Sequence, residues 1–497
     1  MRTVIKIFFV FLLISGMSCP SFGQQQTDDA IVKIYTVYTE YDYDMPWQLL
    51  TQGRVTGSGC IIEGKRILTN AHVVASQTFI QVKRAGEAKK YTAKVEMVSH
   101  ESDLAVLRVD DDAFFLGVRP LTLGDLPRMG DKVAVYGFPK GGDELCITEG
   151  VVSRMEYQQY AHSQAYLLAG QMDAAINAGS SGGPVIKDGK IVGVAFQSLR
   201  TGDNIGYMIP VPRVQHFLKD MEDAKYDGIP SLAIQIQTME NSSLRSKYQM
   251  DSTQTGVLVK YVFPGSPSEN ILRPGDVILS IDGKSVANDG TVRFRQNERT
   301  YFEHTVHDRV FGNTVSCKIL REAKIADVSI KLTVPVDSLR LVPGRQYDRS
   351  PTYYVLGGLV FQPLTLNFLD TWEKLKEAPS HLVDKYLNGR RSKDQKQLVV
   401  LTNVLGDEMT AGYEDLKYRI ISEVNGKNIS SMEDLVVAVE SNEEGDHVLT
   451  DDIGNQIVLE RKKIEETGKV ILDKYKIGSD RSEDLKRLQL NSRLGHP

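Results

Sequence analysis

The feature that most restricts the fold is a series of short apolar or β-branched runs that starts near Ala30 and continues to about Pro212. Gly, Asp and Pro turns separate these runs, and helical periodicity is scarce. The clearest runs are residues 61–62, 67–68, 79–82, 104–109, 132–136, 191–196 and 207–209. Short strands at regular spacing are typical of an all-β barrel or sandwich. A helix is predicted over 211–223, and the turn-rich residues 226–230 predict a domain boundary after it.

The length of 497 residues is too great for one compact core and predicts about three domains. The chain has 41% hydrophobic and 25% charged residues, with a formal net charge of −5. This ordinary globular composition excludes a largely disordered chain and a membrane bundle. Because there is no basic excess, nucleic acid is excluded as the main partner.

The N-terminus has the layout of a cleaved export signal. Arg2 and Lys6 bracket the start of an apolar run at 7–14 that is too short to span a bilayer. Small residues up to Gly23 predict cleavage there, which removes residues 1–23 and leaves no transmembrane anchor. We therefore expect an exported, periplasmic protein, with secretion or lipid attachment through Cys19 as the alternatives.

The remaining cysteines, Cys60, Cys146 and Cys317, are odd in number and lack CxxC spacing, which argues against a disulfide framework. Cys60 and Cys146 lie in strand-like runs and are interpreted as small buried apolar residues. Oxidation of one pair in an export compartment stays open.

Two segments in the second half, 277–286 and 420–429, share one pattern 143 residues apart. Each is an apolar strand ending in Asp-Gly or Asn-Gly, the strongest short hairpin signal. In the second copy, Ser431 and Asp434 form a capping box that opens a short helix. The repeat predicts two copies of a module of roughly 100 residues that mixes strands with a helix.

These patterns divide the chain into a signal peptide, a β domain, two modules and a charged tail. The predicted boundaries are 1–23, 24–225, 228–335, 340–465 and 466–497. The tail lacks apolar periodicity and is predicted to be an exposed helix or a loosely ordered end.

Three segments of the β domain carry residues suited to catalysis. They are 68–74 around His72, 100–107 around Asp103, and 173–184 around Ser181. A serine hydroxyl is a poor nucleophile without an adjacent base, and that base needs an orienting carboxylate. Ser181, His72 and Asp103 supply these roles. Glycines around Ser181 allow the N–H groups of Gly179 and Ser181 to form an oxyanion hole.

The motifs around these residues resemble those of the HtrA/Deg family of serine endopeptidases. The matching segments are Gly57-Ser-Gly-Cys-Ile-Ile62, Thr69-Asn-Ala-His72-Val-Val74, Ser102-Asp103-Leu-Ala-Val-Leu107, Gly137-Phe-Pro139, 148–154 and Asp173-Ala-Ala-Ile-Asn177. Segments 255–259, 264–267, 273–279 and 358–364 extend the resemblance to PDZ domains, especially those of the plant-type Deg subgroup. One departure is Ala178-Gly-Ser180-Ser181, where the family usually reads Pro-Gly-Asn-Ser.

The resemblance implies a mainly β protein, a chymotrypsin-like double β-barrel followed by two PDZ-like domains. It implies an ATP-independent endopeptidase that needs no cofactor and cleaves unfolded or damaged polypeptides in protein quality control. It assigns Ile176 to the S1 pocket, and a substrate-pairing edge strand to Ala195, Phe196, Gln197 and Ser198. Since no Asp stands at the base of the pocket, cleavage after Val, Ile or Ala is expected.

The PDZ domains imply loops that bind C-terminal peptides by strand addition. The loop residues are Leu232, Ala233 and Ile234 in the first module, and Gly358, Leu359, Val360 and Phe361 in the second. The alternative role of these modules is to lock an oligomer without binding peptides.

Five aromatic residues crowd the mature N-terminus: Tyr35, Tyr38, Tyr41, Tyr43 and Trp47. Aromatic density often marks interfaces, and the resemblance implies trimers formed through this region. A homo-oligomer of three chains or a multiple of three is therefore predicted, with aromatic packing inside the monomer as the alternative.

His304 and His307 have the spacing of metal ligands, but no nearby Cys or acidic cluster completes a site. We therefore expect a surface loop there and no metal.

Two other function classes stay open: a protease-like chaperone, and a PDZ scaffold that binds misfolded chains without cleaving them. The joint presence of His72, Asp103 and Ser181 argues against both, because a scaffold is expected to lose one of the three.

Overall fold

The computed structural model describes residues 27–198, 205–221 and 226–486. The predicted signal peptide lies outside these residues, as does the predicted tail from residue 487. Two closed barrels come first and the sheets of two further modules follow, which confirms the predicted fold class. None of the helices in these ranges is long and apolar enough to cross a bilayer.

The first barrel closes in the order β1-β2-β3-β6-β5-β4. Its strands are β1 (Ile31–Tyr38), β2 (Gly53–Ile62), β3 (Arg66–Thr69), β4 (Gln77–Arg84), β5 (Tyr91–Ser99) and β6 (Leu104–Val109). β1 pairs with β2 along its whole length and with β4 on its other edge. Since β1 closes the barrel, the segment that begins at Ile31 is part of the core of the first barrel.

The second barrel closes in the order β10-β11-β12-β9-β8-β7. Its strands are β7 (Lys132–Gly137), β8 (Cys146–Gln159), β9 (Tyr166–Met172), β10 (Pro184–Lys187), β11 (Lys190–Ser198) and β12 (Gly206–Pro210). The short helix α1 (Ala71–Val74) follows β3, and α2 (Val211–Asp220) follows β12 where a helix was expected.

The first PDZ-like module has the strand order β13-β14-β15-β19-β20, with β16 paired to β15 and a separate β17-β18 hairpin. Its elements are β13 (Ile234–Thr238), α3 (Ser242–Lys247), β14 (Val257–Val262), β15 (Val277–Ile281), β16 (Lys284–Ser285), β17 (Thr291–Arg295), β18 (Glu298–Tyr301), α4 (His304–His307), β19 (Thr314–Arg321) and β20 (Lys324–Lys331). Within the described residues β13 pairs only with β14, so it is an edge strand.

The second module has the strand order β21-β22-β23-β24-β26-β27, with β25 paired to β24. Its elements are β21 (Tyr354–Leu356), β22 (Leu359–Pro363), α5 (Leu366–Leu369), α6 (Ser380–Asn388), β23 (Val399–Val404), β24 (Ile420–Val424), β25 (Lys427–Asn428), α7 (Met432–Glu440), β26 (His447–Asp451), β27 (Gln456–Leu459) and α8 (Arg461–Lys474). The repeated sequence forms the β15-β16 hairpin in one module and the β24-β25 hairpin in the other.

The predicted cap of α7 is present in altered form. The Ser431 hydroxyl accepts a hydrogen bond from the Asp434 N–H at 3.1 Å. The Asp434 carboxylate, however, accepts from the N–H of Ser430 at 3.0 Å. The return bond therefore reaches one residue further back than in a capping box.

The predicted domain end at 465 falls inside α8. Ile471, Ile477 and Leu485 beyond it are almost completely buried in the core of the second module. These apolar residues are too widely spaced to produce a periodic pattern, but each fills a place in the core.

Helix α4 packs against the second barrel, so the interpretation of His304 and His307 as a surface loop is wrong. Both histidines are buried. The Tyr157 hydroxyl on β8 donates to Glu303 Oε2 at 3.2 Å. From α2, Arg213 donates to the carbonyl of His307. Polar and titratable groups therefore join the first PDZ module to the second barrel.

Two of the N-terminal aromatic residues pack against the second module of the same chain. Trp47 meets Tyr353 edge to face, with ring centroids 6.1 Å apart. Tyr43 packs against a core cluster of the second module. Between β1 and β2, the apolar side chains of Met45, Leu49 and Leu50 remain exposed.

Candidate active site

The predicted residues meet in the cleft between the two barrels. His72 lies on α1, Asp103 lies in the turn before β6, and Ser181 lies in the loop between β9 and β10. A cavity of about 800 Å³ is lined by His72 and Ser181. The first barrel thus supplies a base with its carboxylate, and the second supplies the serine.

His72 and Asp103 are joined by two hydrogen bonds. Asp103 Oδ2 lies 2.7 Å from His72 Nδ1, and Asp103 Oδ1 accepts from the His72 N–H at 2.9 Å. The Asp103 carbonyl accepts from Asn70 Nδ2 at 2.8 Å. Its backbone has a φ of 52°, a strained conformation for a residue with a side chain. The surrounding bonds therefore hold the carboxylate in one orientation.

The charges of this pair support each other. Burial raises the pKa of Asp103, but the nearby His72 more than compensates and the pKa is lowered overall. Burial lowers the pKa of His72, whereas the charge and hydrogen bond of Asp103 raise it, and the net change is upward. The carboxylate thus stays ionised and favours a protonated imidazole.

The turn that carries Ser181 depends on glycine. Gly179 has a φ of 98° and Gly182 a φ of 85°, which residues with side chains rarely adopt. A Cβ atom on Gly182 would lie 2.2 Å from the Ser58 carbonyl oxygen, so no side chain fits. Gly182 thus allows the chain to pass close to β2 on one side of the serine, and Gly179 allows it to pass close to residues 138–140 on the other.

All four carbonyl groups of this turn accept hydrogen bonds. The pairs, with donors first, are Lys140 N–Ala178 O at 2.6 Å, Ser58 Oγ–Gly179 O at 2.7 Å, Gly183 N–Ser180 O at 3.0 Å and Ser58 N–Ser181 O at 2.8 Å. In a trans peptide the C=O and the following N–H point in opposite directions. The fixed carbonyls of Ala178 and Ser180 therefore direct the N–H groups of Gly179 and Ser181 away from their acceptors. Neither N–H has an acceptor in the described part of the chain.

The Ser181 hydroxyl is turned away from the histidine. It donates to the carbonyl of Phe196 on β11 at 3.4 Å. Across residues 27–198, 205–221 and 226–486, no hydrogen bond joins Ser181 to His72. Catalytic hydrogen bonds are often long or misaligned before substrate binds.

The predicted substrate strand is the end of β11. Gln197 and Ser198 pair with β12, and a register shift between Ala195 and Gln197 leaves Phe196 outside the ladder. The N–H and C=O of Ala195 bond to the turn around Ser181. Ile176 is only 8% exposed and packs in the core of the second barrel, outside the walls of the 800 Å³ cavity.

A loop beside the serine is anchored by Lys33 on β1. Lys33 Nζ lies 2.6 Å from both the Gly142 carbonyl and Asp143 Oδ1. The same loop carries Lys140, whose N–H fixes the Ala178 carbonyl. Lys33 therefore supports the orientation of the Gly179 N–H through this loop. No local pattern predicts this contact, because the partners are 110 residues apart.

Sequence reasoning also missed a second pair of histidines behind His72. His100 belongs to segment 100–107, which identified Asp103. The sequence does not show, however, that its ring contacts His162. His162 lies in the β8-β9 loop, where no motif marks it. Its ring centroid is 6.1 Å from that of His72.

The predicted peptide loops of the two modules differ. Leu232, Ala233 and Ile234 are buried, and Ala233 has a φ of 49°. Their strand, β13, keeps a free edge. In the second module, Leu359, Val360 and Phe361 are paired with β21 on one side and β23 on the other. The edge expected to receive a peptide there is filled by the chain itself.

No group of three or more His, Cys, Asp or Glu residues suited to a metal ion occurs in the described residues. Cys60 and Cys317 are buried, Cys146 is partly buried, and all three are free thiols.

Residues 57–194 match the trypsin-like peptidase domain family, and residues 230–332 and 342–484 match PDZ domain families. The chain is 40% identical over 457 residues to the mitochondrial protease Do-like 4 of Arabidopsis thaliana, covering 92% of this chain and 85% of that protein. It is 38% identical over 465 residues to the chloroplastic protease Do-like 2 of the same plant, covering 92% and 75%. A solved HtrA-type protease, an AlgW variant with a decapeptide, shares the fold with a TM-score of 0.50 at 24% identity, covering 63% of this chain and 96% of that one.

Proposed function

The chain belongs to the Do-like, or HtrA/Deg, family of serine endopeptidases, and we propose that it cleaves unfolded polypeptides with a catalytic triad of His72, Asp103 and Ser181. The observation that carries this proposal is the 2.7 Å contact between His72 Nδ1 and the buried carboxylate of Asp103, in the same cleft as Ser181.

In this mechanism Asp103 sets the tautomer of His72. The carboxylate accepts a hydrogen bond from Nδ1–H, so the lone pair of the neutral imidazole is on Nε2, the atom that must remove the serine proton. When His72 becomes an imidazolium, the adjacent negative charge stabilises it. General base catalysis of this kind contributes roughly 10²–10⁴-fold in rate.

Substrate binding would release the nucleophile. An extended chain lying along β11 offers a backbone N–H to the Phe196 carbonyl, which Ser181 now occupies. Once replaced there, the serine hydroxyl can rotate about its Cα–Cβ bond toward His72. Its oxygen then attacks the scissile carbonyl as His72 takes the proton.

The oxyanion of the tetrahedral intermediate would be held by the N–H groups of Gly179 and Ser181. Fixed carbonyls already orient both donors, so little reorganisation is needed during the reaction. Loss of one donor in such a site typically costs roughly 10²–10³-fold in rate.

The expected substrates are unfolded or damaged proteins, as in protein quality control. Pairing along β11 needs an extended backbone, which a compact folded protein does not offer. The solved relative was crystallised with a decapeptide. Peptide capture by the PDZ modules is proposed for β13 alone, because β22 has no free edge.

We also propose a homo-oligomer built through the exposed apolar side chains of Met45, Leu49 and Leu50. A variant with serine at all three positions should have a smaller mass in light scattering. Deleting the N-terminal segment would not be informative, because it removes β1 from the barrel. An unchanged mass would contradict this interface.

The compartment is proposed from the N-terminal pattern alone: export, with the periplasm as destination. The two plant relatives are named as mitochondrial and chloroplastic proteins. Fractionation of cells that produce the full chain, with N-terminal sequencing of the mature protein, tests both the compartment and the cleavage after Gly23.

Digestion of casein tests the proposed chemistry. Ser181→Ala removes only the hydroxyl and should abolish hydrolysis while melting temperature and mass stay the same. Ser329→Ala, the same change on exposed β20, is the matched control and should behave as wild type. Casein cleavage by Ser181→Ala at the wild-type rate would refute the proposed nucleophile.

A further inference from the structure

Behind the proposed triad, His100 and His162 are in direct contact. His100 Nδ1 lies 2.9 Å from His162 Nε2. His162 in turn faces His72 at a ring distance of 6.1 Å. The imidazole that would act as the base therefore has a second imidazole packed behind it, and a third behind that.

The pair is covered by residues 345–348, which lie between β20, the last strand of the first PDZ-like module, and β21, the first strand of the second; we call them the inter-PDZ segment. The Tyr347 ring stacks on His162 at 4.0 Å and on His100 at 4.6 Å. Its hydroxyl donates to the His162 carbonyl at 2.8 Å. The inter-PDZ segment thus encloses both imidazoles.

Asp348 ties the same segment to the protease domain by its carboxylate. Oδ2 lies 2.7 Å from His100 Nε2, and Oδ1 accepts from the Ser76 N–H at 2.6 Å. Asp348 has a φ of 56°, a strained conformation that persists only where surrounding contacts impose it. Burial raises the pKa of Asp348, but the hydrogen bonds from His100 and from the Ser76 N–H lower it overall.

The other half of the inter-PDZ segment is held by the second PDZ-like module. Arg345 pairs with Asp370 at 2.6 Å, just after α5. The backbone N–H and C=O of Gln346 both bond to the side-chain amide of Asn367, at 2.7 and 2.8 Å. Four consecutive residues therefore connect α5 to the rear of the active site.

The contact between the histidines limits their protonation. A 2.9 Å contact between two ring nitrogens accommodates one proton, because two facing N–H groups would repel. Asp348 accepts a hydrogen bond from His100 Nε2–H, so His100 Nδ1 can accept from His162 Nε2–H, and His162 is then neutral. Burial favours the same state, since it lowers the pKa of His162 to about 3. A neutral ring is required next to His72, which gains a positive charge during catalysis.

We propose that Tyr347 and Asp348 are positioning residues of the active site: through His100 and His162 they fix His72 and Asp103, so that full catalytic rate requires the inter-PDZ segment in place. The second PDZ-like module, whose own edge is filled, would then act on catalysis through this segment. This inference rests on the proposed triad.

The test uses the full chain and a short fluorogenic peptide, which has little need of the PDZ modules. Tyr347→Ala removes both stacks and should lower kcat at least tenfold while KM changes less than twofold. Tyr347→Phe keeps the rings stacked and should recover most of the rate. Asp348→Asn keeps one acceptor of two and should give an intermediate loss. Tyr248→Ala, which removes a ring from the first PDZ-like module, is the control and should keep wild-type kcat.

Reaction with diisopropyl fluorophosphate provides a second readout, because it reports the reactivity of the serine without peptide binding. Its rate should fall in step with kcat. Wild-type kcat in Tyr347→Ala and Asp348→Asn would overturn the inference, as would an equal loss in Tyr347→Phe and Tyr347→Ala. If Tyr347→Ala does not fold, the kcat values of Asp348→Asn and Tyr347→Phe test the inference instead. If wild type itself does not react, the proposed function fails instead.

Discussion

Replacing Glu303 by glutamine should raise the melting temperature at pH 8 and leave it unchanged at pH 5. Glu303 sits at the start of α4, against the second barrel, and accepts a hydrogen bond from Tyr157. Burial raises the pKa of its carboxyl from 4.5 to about 7, an effect only partly offset by that bond. The contact therefore suits a neutral side chain.

The sign follows from proton linkage. Between the unfolded pKa near 4.5 and the folded pKa near 7, the folded state holds a proton that the unfolded state has lost. Stability therefore falls as pH rises through this interval and stays low above it. At ~1.4 kcal/mol per pKa unit, and allowing for the partial exposure of the side chain, the loss is roughly 2 kcal/mol. Glutamine is neutral like the protonated acid, so the variant does not lose this stability as the pH rises.

Scanning calorimetry at pH 5 and pH 8 measures the effect. About 2 kcal/mol corresponds to a shift of roughly 4–8 °C for a cooperative unit of 150–250 residues. Glu373→Gln, at an exposed position, is the control and should change neither value. An increase of equal size at both pH values, or a decrease at pH 8, would show that the ionised carboxylate is not the source of the instability.

Three other variants test the active site with fluorogenic peptides or digested proteins. Asp103→Asn should lower kcat about 10⁴-fold, because an amide N–H facing Nδ1 selects the wrong tautomer of His72; a loss below tenfold would contradict that role. Lys33→Ala should free the loop of Lys140 and lower kcat roughly tenfold or more at similar KM, and wild-type kcat would mean that the loop needs no anchor. Ile176→Ala should shift mapped cleavage sites from Val, Ile and Ala toward Leu, Met and Phe, since each methylene contributes roughly 1–3 kcal/mol of discrimination; an unchanged distribution would place the pocket elsewhere.

The strands of the barrels and the repeated hairpins were predictable because each is specified by residues that are close together in the sequence. Short apolar runs such as 104–109, bounded by turn residues, predict a strand whatever its partners are, and Asp-Gly or Asn-Gly predicts a tight turn. His72, Asp103 and Ser181 were found for a similar reason. Each lies in a short motif with its own glycine or apolar neighbours. The order His, Asp, Ser along the chain then indicated that the three residues act together.

Contacts between distant segments could not be predicted in this way. His162 and Tyr347 are 185 residues apart, and neither lies in a recognisable motif. His304 and His307 were assigned to a surface loop because α4 is a single helical turn, too short for a periodic pattern. The pairing of β21 was missed because a strand of three residues is below the length at which alternation can be read.

The sealed edge of the second module affects how the enzyme coexists with the unfolded polypeptides proposed as its substrates. An open strand edge is a template for any extended chain, and unfolded proteins are the chains most prone to add to it and aggregate. β21 covers β22, and the segment around Arg481 bonds in turn to β21. At this edge of the second module the chain itself therefore occupies the place that an added strand would take, which leaves β13 and β11 as the strands proposed to receive an extended polypeptide.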